Sequence, residues 1–235
     1  MRKKRKMRQL EIPWPMGHGG ARKGAGRKGS GGGSRARVSH GARACFGRTC
    51  VLHVTCRIGE GLPTLRDPET AKRVMDYLAR SCVKEGFRIV EYSIQGNHIH
   101  MICEVDDHEA LSRAMNGLLS GLARTLNRYW GRRGKVFEDR YHAEDLPTPK
   151  QCRNALNYAL HNAKKHGARS PRSGADPYST APWFPFTSSP PSRMDAKPAA
   201  HPRTWLLRTG WRKGGEIHAH GHPSIPTKPG SKQPQ

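Results

Sequence analysis

Two histidines separated by one residue form the most informative short pattern in this sequence. The segment from Gly96 to Ile102 reads GNHIHMI. Successive side chains of a β-strand point to opposite faces, so His98 and His100 would share one face and Ile99 the other. Two converging imidazoles can hold a divalent metal that polarises a phosphate, provided that oxygen ligands complete the coordination sphere. The pattern equally fits two solvent-facing strand histidines, so by itself it leaves metal binding open.

A tyrosine and an asparagine four residues apart form the second candidate group. Thr148 and Pro149 predict the start of a helix that ends at Gly167. At 100° per residue, Tyr158 and Asn162 lie on one polar stripe of this helix, within about 40° of a common direction. The stripe also includes Asn154 and Lys165.

The phenol and the amide of this stripe could act together. An amide oxygen from Asn162 could complete a metal site and keep the Tyr158 hydroxyl beside it. A free phenol has a pKa of about 10, so its attack on a phosphate would need a metal to stabilise the developing charges. The alternative is a tyrosine at the rim of the core with a hydrogen-bonded hydroxyl.

The elements that must position these groups follow from hydrophobic periodicity. Alternating or apolar runs predict strands, and apolar residues at helical spacing predict helices between turn and cap residues. The predicted elements are a strand at 50–58, a helix from Asp67–Pro68 to Gly86, a hairpin of 87–94 and 98–105, a helix from Asp106 or Asp107 to Gly131, a bent strand or strand pair at 135–146 and the helix with Tyr158.

The order β-α-β-β-α-β-α predicts an α+β fold. We expect a ferredoxin-like or RRM-like antiparallel sheet with two helices on one face, plus a C-terminal helix that carries the tyrosine. The other face of the sheet would be available for a ligand.

Charge divides the chain into three segments. The 235 residues carry a net charge of +24. Residues 1–43 hold 13 basic residues and one acidic residue, which predicts a disordered basic arm. Residues 44–168 are nearly balanced and long enough for one domain, and 169–235 are a Pro/Ser-rich, largely irregular basic tail. Aromatic clusters at 183–186 and 204–211 predict that parts of this tail dock on the domain.

The basic excess points to a polyanionic partner, for which nucleic acid is the first candidate. An arm of this charge density would neutralise phosphates with little dependence on sequence. For the basic residues of the arm and for those of the domain, the alternative is a plainly solvated surface without a ligand. The DNA-binding candidates are Arg22, Lys23, Arg27 and Lys28 in the arm, and Arg132, Arg133, Lys135, Arg140 and Lys165 in the domain.

The sequence predicts neither a membrane span nor a disulfide framework. No apolar run reaches the length of a membrane-spanning helix, and no apolar segment follows the basic start as in a signal peptide. Six cysteines occur without a C-x-x-C pair, as is typical of reduced structural thiols. We therefore expect a cytoplasmic, nucleoid-associated protein.

Three ordered segments carry a resemblance to a known family. They read GNHIH at 96–100, GKVFEDRYH at 134–142 and NYALHNA at 157–163. Over residues 50–167 the chain resembles the HUH-type single-tyrosine transposases, most closely the REP-associated tyrosine transposases, which are IS200-like. This resemblance implies a metal-dependent transposase that cleaves and rejoins single-stranded or hairpin DNA.

The resemblance also implies roles for single residues. His98, His100 and Asn162 would bind Mg²⁺ or Mn²⁺, and Tyr158 would form a 5′-phosphotyrosine intermediate. Two departures from the family pattern occur: Asn162 is followed by Ala163 where proline is usual, and Phe137–Glu138 replaces Trp-Gln. Neither removes a proposed catalytic group, but the second could alter DNA contacts.

Two other functions remain open from the sequence. One is a non-catalytic module that binds single-stranded nucleic acid on an RRM-like sheet, which would need exposed aromatic residues on its central strands. The other is a replication or conjugation nickase of the same chemistry. The sequence also leaves open whether one chain completes the site or a homodimer does so by exchanging a helix.

Overall fold

The fold is known from a computed structural model that describes residues 49–165, 175–187 and 189–221. The predicted arm at 1–43, with Arg22, Lys23, Arg27 and Lys28, lies outside these residues. The side chain of Lys165 also lies outside the description.

A five-stranded antiparallel sheet forms the centre of the domain. The strands are β1 (Cys50–Arg57), β2 (Val83–Lys84), β3 (Phe87–Ile94), β4 (His98–Val105) and β5 (His142–Asp145), in the order β2-β3-β4-β1-β5. Without the two-residue β2, this is the predicted ferredoxin-like order. Residues 135–146 contribute less strand than predicted: β5 has four residues, and Phe137 adds only an isolated bridge to Ile58.

Two helices cover one face of the sheet, as predicted. In α1 (Pro68–Ser81), Asp67 accepts a hydrogen bond from the Thr70 amide, and proline occupies the first turn. In α2 (His108–Tyr129), Asp107 accepts a hydrogen bond from the Ala110 amide. Both are side-chain N-caps of the kind that begin helices. The apolar faces of the two helices meet Leu52, Val54, Met101 and other inward residues of the strands in the larger core.

A third helix, α3 (Pro149–Lys165), packs on the opposite face of the sheet against β3 and β4. Its apolar residues Cys152, Leu156 and Leu160 join Val51 and Ile102 in a second core. The face that the sequence analysis left available for a ligand is therefore largely occupied by the helix that carries Tyr158.

Residues 175–221 form a further layer, which we call the C-terminal strap (175–187 and 189–221 as described). The strap contains few regular elements, namely α4 (Trp205–Arg208) and two short 3-10 helices at 181–183 and 210–214. Its side chains Phe184, Trp211 and Ile217 are buried in the second core. The expected docking of the aromatic clusters is thus confirmed.

The cysteines of the described residues are free thiols. They are Cys50, Cys56, Cys82, Cys103 and Cys152, whereas Cys45 lies outside the description. Burial raises the pKa of Cys152 to about 12 and also raises that of Cys56, so these thiols stay protonated at neutral pH. In the part of the chain that the structure describes, no helix is long and apolar enough to cross a membrane.

Candidate active site

His98 and His100 lie side by side on the face of β4 that meets α3. Their ring centroids are 4.7 Å apart and the rings are nearly perpendicular. His98 is 8% exposed and His100 5%, so the expectation of two plainly solvent-facing histidines does not hold. The alternation of the strand has brought both imidazoles to one small region, as predicted.

Each of these histidines is oriented by a hydrogen bond at Nδ1. Nδ1 of His98 lies 2.8 Å from Oδ1 of Asn97, and Nδ1 of His100 lies 3.1 Å from Nε2 of His53 and 3.1 Å from Oγ1 of Thr55. An imidazole that donates from Nδ1 presents its lone pair at Nε2, the arrangement of many metal-binding histidines. Nε2 is therefore the atom with which each ring could ligate a metal.

His53, which the sequence patterns did not single out, contacts both His100 and Tyr158. The His53 ring centroid lies 5.1 Å from that of His100 and 6.0 Å from that of Tyr158. Burial, with a smaller contribution from the charge of His142, lowers the pKa of His53 to about 4. His53 is thus neutral at neutral pH and can accept a hydrogen bond from His100. The signal was present in the sequence, since His53, Thr55 and Arg57 alternate along the first strand.

Tyr158 lies on the third turn of α3, and its ring faces the histidine pair. Its ring centroid is 5.2 Å from that of His100, with the two planes 79° apart. Because the helix rests on its own sheet, the tyrosine and the histidines of the site come from one chain. No exchange of α3 is needed to bring the phenol to the imidazoles.

Asn162 lies one turn after Tyr158 and is fully buried. Neither Oδ1 nor Nδ2 of its amide has a hydrogen-bond partner among the described residues. A buried amide with both polar atoms unsatisfied is costly, and such a group needs a partner beyond those that the described residues supply. Asn162 is thus a buried member of the predicted polar stripe.

These groups fit a divalent metal that the family resemblance implies. Within the described ranges, no group of three or more His, Cys, Asp or Glu residues is placed to hold a metal. The amide of Asn162 has an oxygen in need of a partner, and Mg²⁺ and Mn²⁺ prefer oxygen ligands. Two oriented imidazoles and one such amide are thus donor types that suit these ions.

The predicted basic loop lies beside the His98 end of the sheet. Its backbone is fixed to β1, since the Glu138 amide donates to the Arg57 carbonyl and the Gly59 amide to the Val136 carbonyl. Arg133, Lys135 and Arg140 are exposed. Arg132 instead uses its guanidinium within the loop, donating to the Asn127 side chain and the Lys135 carbonyl.

Arg57 is a second residue that the sequence analysis missed. It pairs with His98 in the β1–β4 register, and directly opposed residues of antiparallel strands project to the same face. Its side chain is exposed. Arg57 thus presents a cation next to the histidine pair, where a bound phosphate would lie.

Aromatic residues do not form a stacking surface on this face. The aromatic side chains of the long strands, Phe87 and Tyr92, are buried on the other face against α1 and α2. The exposed aromatic residues that a module for binding single-stranded nucleic acid would need are thus missing from strands β1, β3 and β4.

The chain is similar to a known protein family and to a solved structure. Residues 48–158 match the family model described as "Transposase IS200 like". No curated protein sequence gives a significant match. A solved structure described as a REP-associated tyrosine transposase bound to a REP hairpin is similar at a TM-score of 0.46 and 16% identity, over 61% of this chain and 82% of that one. The matched family segment ends at Tyr158, so Asn162 and the strap lie beyond it.

Proposed function

We propose that this chain is an IS200-like transposase that cleaves and rejoins single-stranded or hairpin DNA with Tyr158 as its nucleophile, a proposal supported by the match of residues 48–158 to that family model. The observation that carries the proposal is the contact of the Tyr158 ring with His100, whose centroids are 5.2 Å apart. This contact brings the Tyr158 phenol to the paired imidazoles. Neither Tyr158 nor His100 would need such a contact if its role were purely structural.

The proposed step exchanges one phosphate ester for another. The phenolic oxygen of Tyr158 forms a bond to phosphorus, and the bond from phosphorus to the 3′ oxygen breaks. The phenol loses its proton and the departing 3′ oxygen gains one, which leaves a 5′-phosphotyrosine and a free 3′-OH. The covalent ester retains the energy of a phosphodiester, so attack by another 3′-OH rejoins DNA without ATP.

His98, His100 and Asn162 would hold the Mg²⁺ or Mn²⁺ ion. When bound, such an ion supplies charge stabilisation to the phosphate oxygens. The residues of the chain orient the site: Asn97, His53 and Thr55 hold the two imidazoles at Nδ1. Arg57, Arg133, Lys135 and Arg140 would contact the DNA backbone beside them. The protein would act on DNA in the nucleoid.

The direct test is incubation with single-stranded oligonucleotides and Mn²⁺, followed by denaturing electrophoresis. A covalent protein–DNA adduct should form with the wild-type protein and be lost in Tyr158→Phe, which keeps the ring but removes the attacking oxygen. Tyr129→Phe is the matched control, since Tyr129 lies on α2 on the other side of the sheet. Persistence of the adduct in Tyr158→Phe would refute the assignment.

A further inference from the structure

The strap presents an exposed surface of basic and aromatic residues outside the matched family segment. We call it the Trp205 patch, and it consists of Lys150, Trp205, Arg208, Arg212 and Lys213. Trp205 is 53% exposed. This is unusual for so large an apolar side chain, and the other aromatic residues of the strap are mostly buried. All four cations are exposed as well.

The local packing holds these residues on one surface. The indole of Trp205 lies directly on Gly210, where a Cβ atom would come within 2.7 Å of the ring. The ammonium of Lys213 lies 5.4 Å from the centre of the same ring. The guanidinium of Arg212 lies over Trp211 and donates to the Arg208 carbonyl. The indole is thus held against the Gly210 backbone with the Lys213 ammonium near its ring.

The charges of the patch are not balanced by carboxylates. Residues 196–215 contain no aspartate or glutamate. In the described parts of the chain, Lys150, Arg208, Arg212 and Lys213 form no ion pair, and the carboxylate of nearby Glu216 is engaged by His218 at 3.1 Å. A second exposed aromatic residue, Tyr129, differs in this respect, because the arginine over its ring, Arg73, is paired with Glu69.

The patch is joined to the helix that carries Tyr158. Gly214 packs on the first turn of α3, where a Cβ atom would lie 2.6 Å from the Pro149 carbonyl oxygen and 2.9 Å from Lys150 Cα. Arg153 donates to the Glu216 carbonyl. Tyr158 is five residues after Arg153, a rise of about 7.5 Å along the helix.

We propose that the Trp205 patch binds a single-stranded segment of DNA, with a base stacked on the Trp205 indole and phosphates on Arg208, Arg212 and Lys213. An exposed indole suits unpaired bases, because every base has a face that can stack and duplex bases are already stacked. Unbalanced cations around it suit the phosphates. The inference rests on the proposed function only in taking DNA as the partner.

The test measures binding separately from cleavage. The anisotropy of fluorescein-labelled oligothymidylate is followed without metal across a salt series, in the Tyr158→Phe background. Trp205→Ala should weaken binding by roughly 5- to 150-fold, the range expected for loss of one base–aromatic stack, and Trp205→Phe should restore most of it. Replacing Arg208, Arg212 and Lys213 by alanine should reduce the slope of log affinity against log salt by about 2.

Matched controls come from α2, on the other side of the sheet. Tyr129→Ala and the pair Arg124→Ala/Arg128→Ala remove an exposed aromatic ring and exposed charges of similar kind, and both should leave binding nearly unchanged. Thermal unfolding checks that each variant folds.

Three results would overturn the inference. The first is unchanged affinity in folded Trp205→Ala and in the charge variant, and the second is equal loss in the α2 controls. The third is binding of the patch to phosphatidylglycerol vesicles but not to oligothymidylate, which would assign it to a membrane surface. A failure of the proposed function can be distinguished from a failure of this inference. In that case the wild-type protein would form no covalent adduct, even if the patch bound DNA.

Discussion

The orientation of His100 depends on a residue from another strand. His53 reaches across from β1 and shares a hydrogen bond with Nδ1 of His100, which fixes both the rotation of that ring and the nitrogen that faces outward. Thr55 contacts the same nitrogen at 3.1 Å. His53 is therefore a positioning residue, which would act on metal binding through His100.

Replacing His53 tests this role at the scale of one residue. His53→Ala should weaken Mn²⁺ binding by about 10- to 100-fold, the usual effect of losing a group that orients a ligand. The measurement is a titration of free Mn²⁺ by electron paramagnetic resonance. His53→Gln, whose amide can restore a hydrogen bond, should recover part of the affinity.

The control for this prediction is His201→Ala, which removes an exposed histidine from the strap. If His53→Ala bound Mn²⁺ as tightly as the wild-type protein, His100 would not depend on His53 and the positioning role would be wrong.

Residue types and spacing were enough to predict part of the site. His98, His100 and Tyr158 were found because their neighbours have clear strand and helix periodicity. His53 and Arg57 were missed because their roles depend on the register between β1 and β4, which pairs Arg57 with His98 and Thr55 with His100. Alternation along one strand cannot supply this register.

At the scale of elements, α3 is held between the sheet and the strap. Its sheet side packs in the second core, and its other side meets the 3-10 helix at 210–214. The helix was predicted correctly from Thr148 and Pro149, and the Gln151 amide indeed donates to Thr148 Oγ1 at 3.3 Å. The burial of Asn162 could not be predicted, because helical periodicity places it on a polar stripe with Tyr158 but does not show what packs against that stripe.

Replacing Gly214 by alanine tests how closely the strap must approach α3, and replacing Gly117 on α2 is the control. In Gly214→Ala the new methyl group would meet backbone atoms of Pro149 and Lys150, and we expect a loss of about 1–3 kcal/mol in the free energy of unfolding. Gly117→Ala, on an exposed position of α2 with nothing within 4 Å, should instead increase it by about 0.5–1 kcal/mol. Urea denaturation measures both values.

A further readout separates this packing effect from general instability. If the strap supports α3, amide hydrogen exchange in α3 should accelerate in Gly214→Ala and stay unchanged in Gly117→Ala. Equal stability of Gly214→Ala and the wild-type protein would show that the strap does not pack on α3 as described.

At the scale of the whole molecule, charge is distributed unevenly along the chain. Residues 1–43 supply 13 of the 42 lysines and arginines. Deleting residues 1–43 should therefore weaken binding to single-stranded DNA at low salt and lower the salt dependence of binding, because fewer counterions are released. Adduct formation at saturating DNA should persist, since the proposed chemistry lies at 98–162.

The matched control for the deletion is a full-length variant with the order of residues 1–43 scrambled, which keeps the charge. It should bind like the wild-type protein in a filter-binding assay over a range of salt concentrations. A scrambled variant that behaved like the deletion would mean that the arm reads specific features of DNA rather than supplying charge.

Three carboxylates of the sheet and strap connect these parts of the molecule. Asp176 pairs with Arg66, Glu91 with Lys197, and Glu104 accepts hydrogen bonds from the Arg203 and Thr204 amides. Each carboxylate is at most 6% exposed. A protein shortened to residues 48–158 would lose the Lys197 partner of Glu91 and the backbone donors of Glu104, and Glu104 would keep only Arg88 at 3.9 Å. The unit that folds together is thus longer than the segment that matches the family model, and recombination at the end of that segment would separate the sheet from the groups that pair with its buried carboxylates.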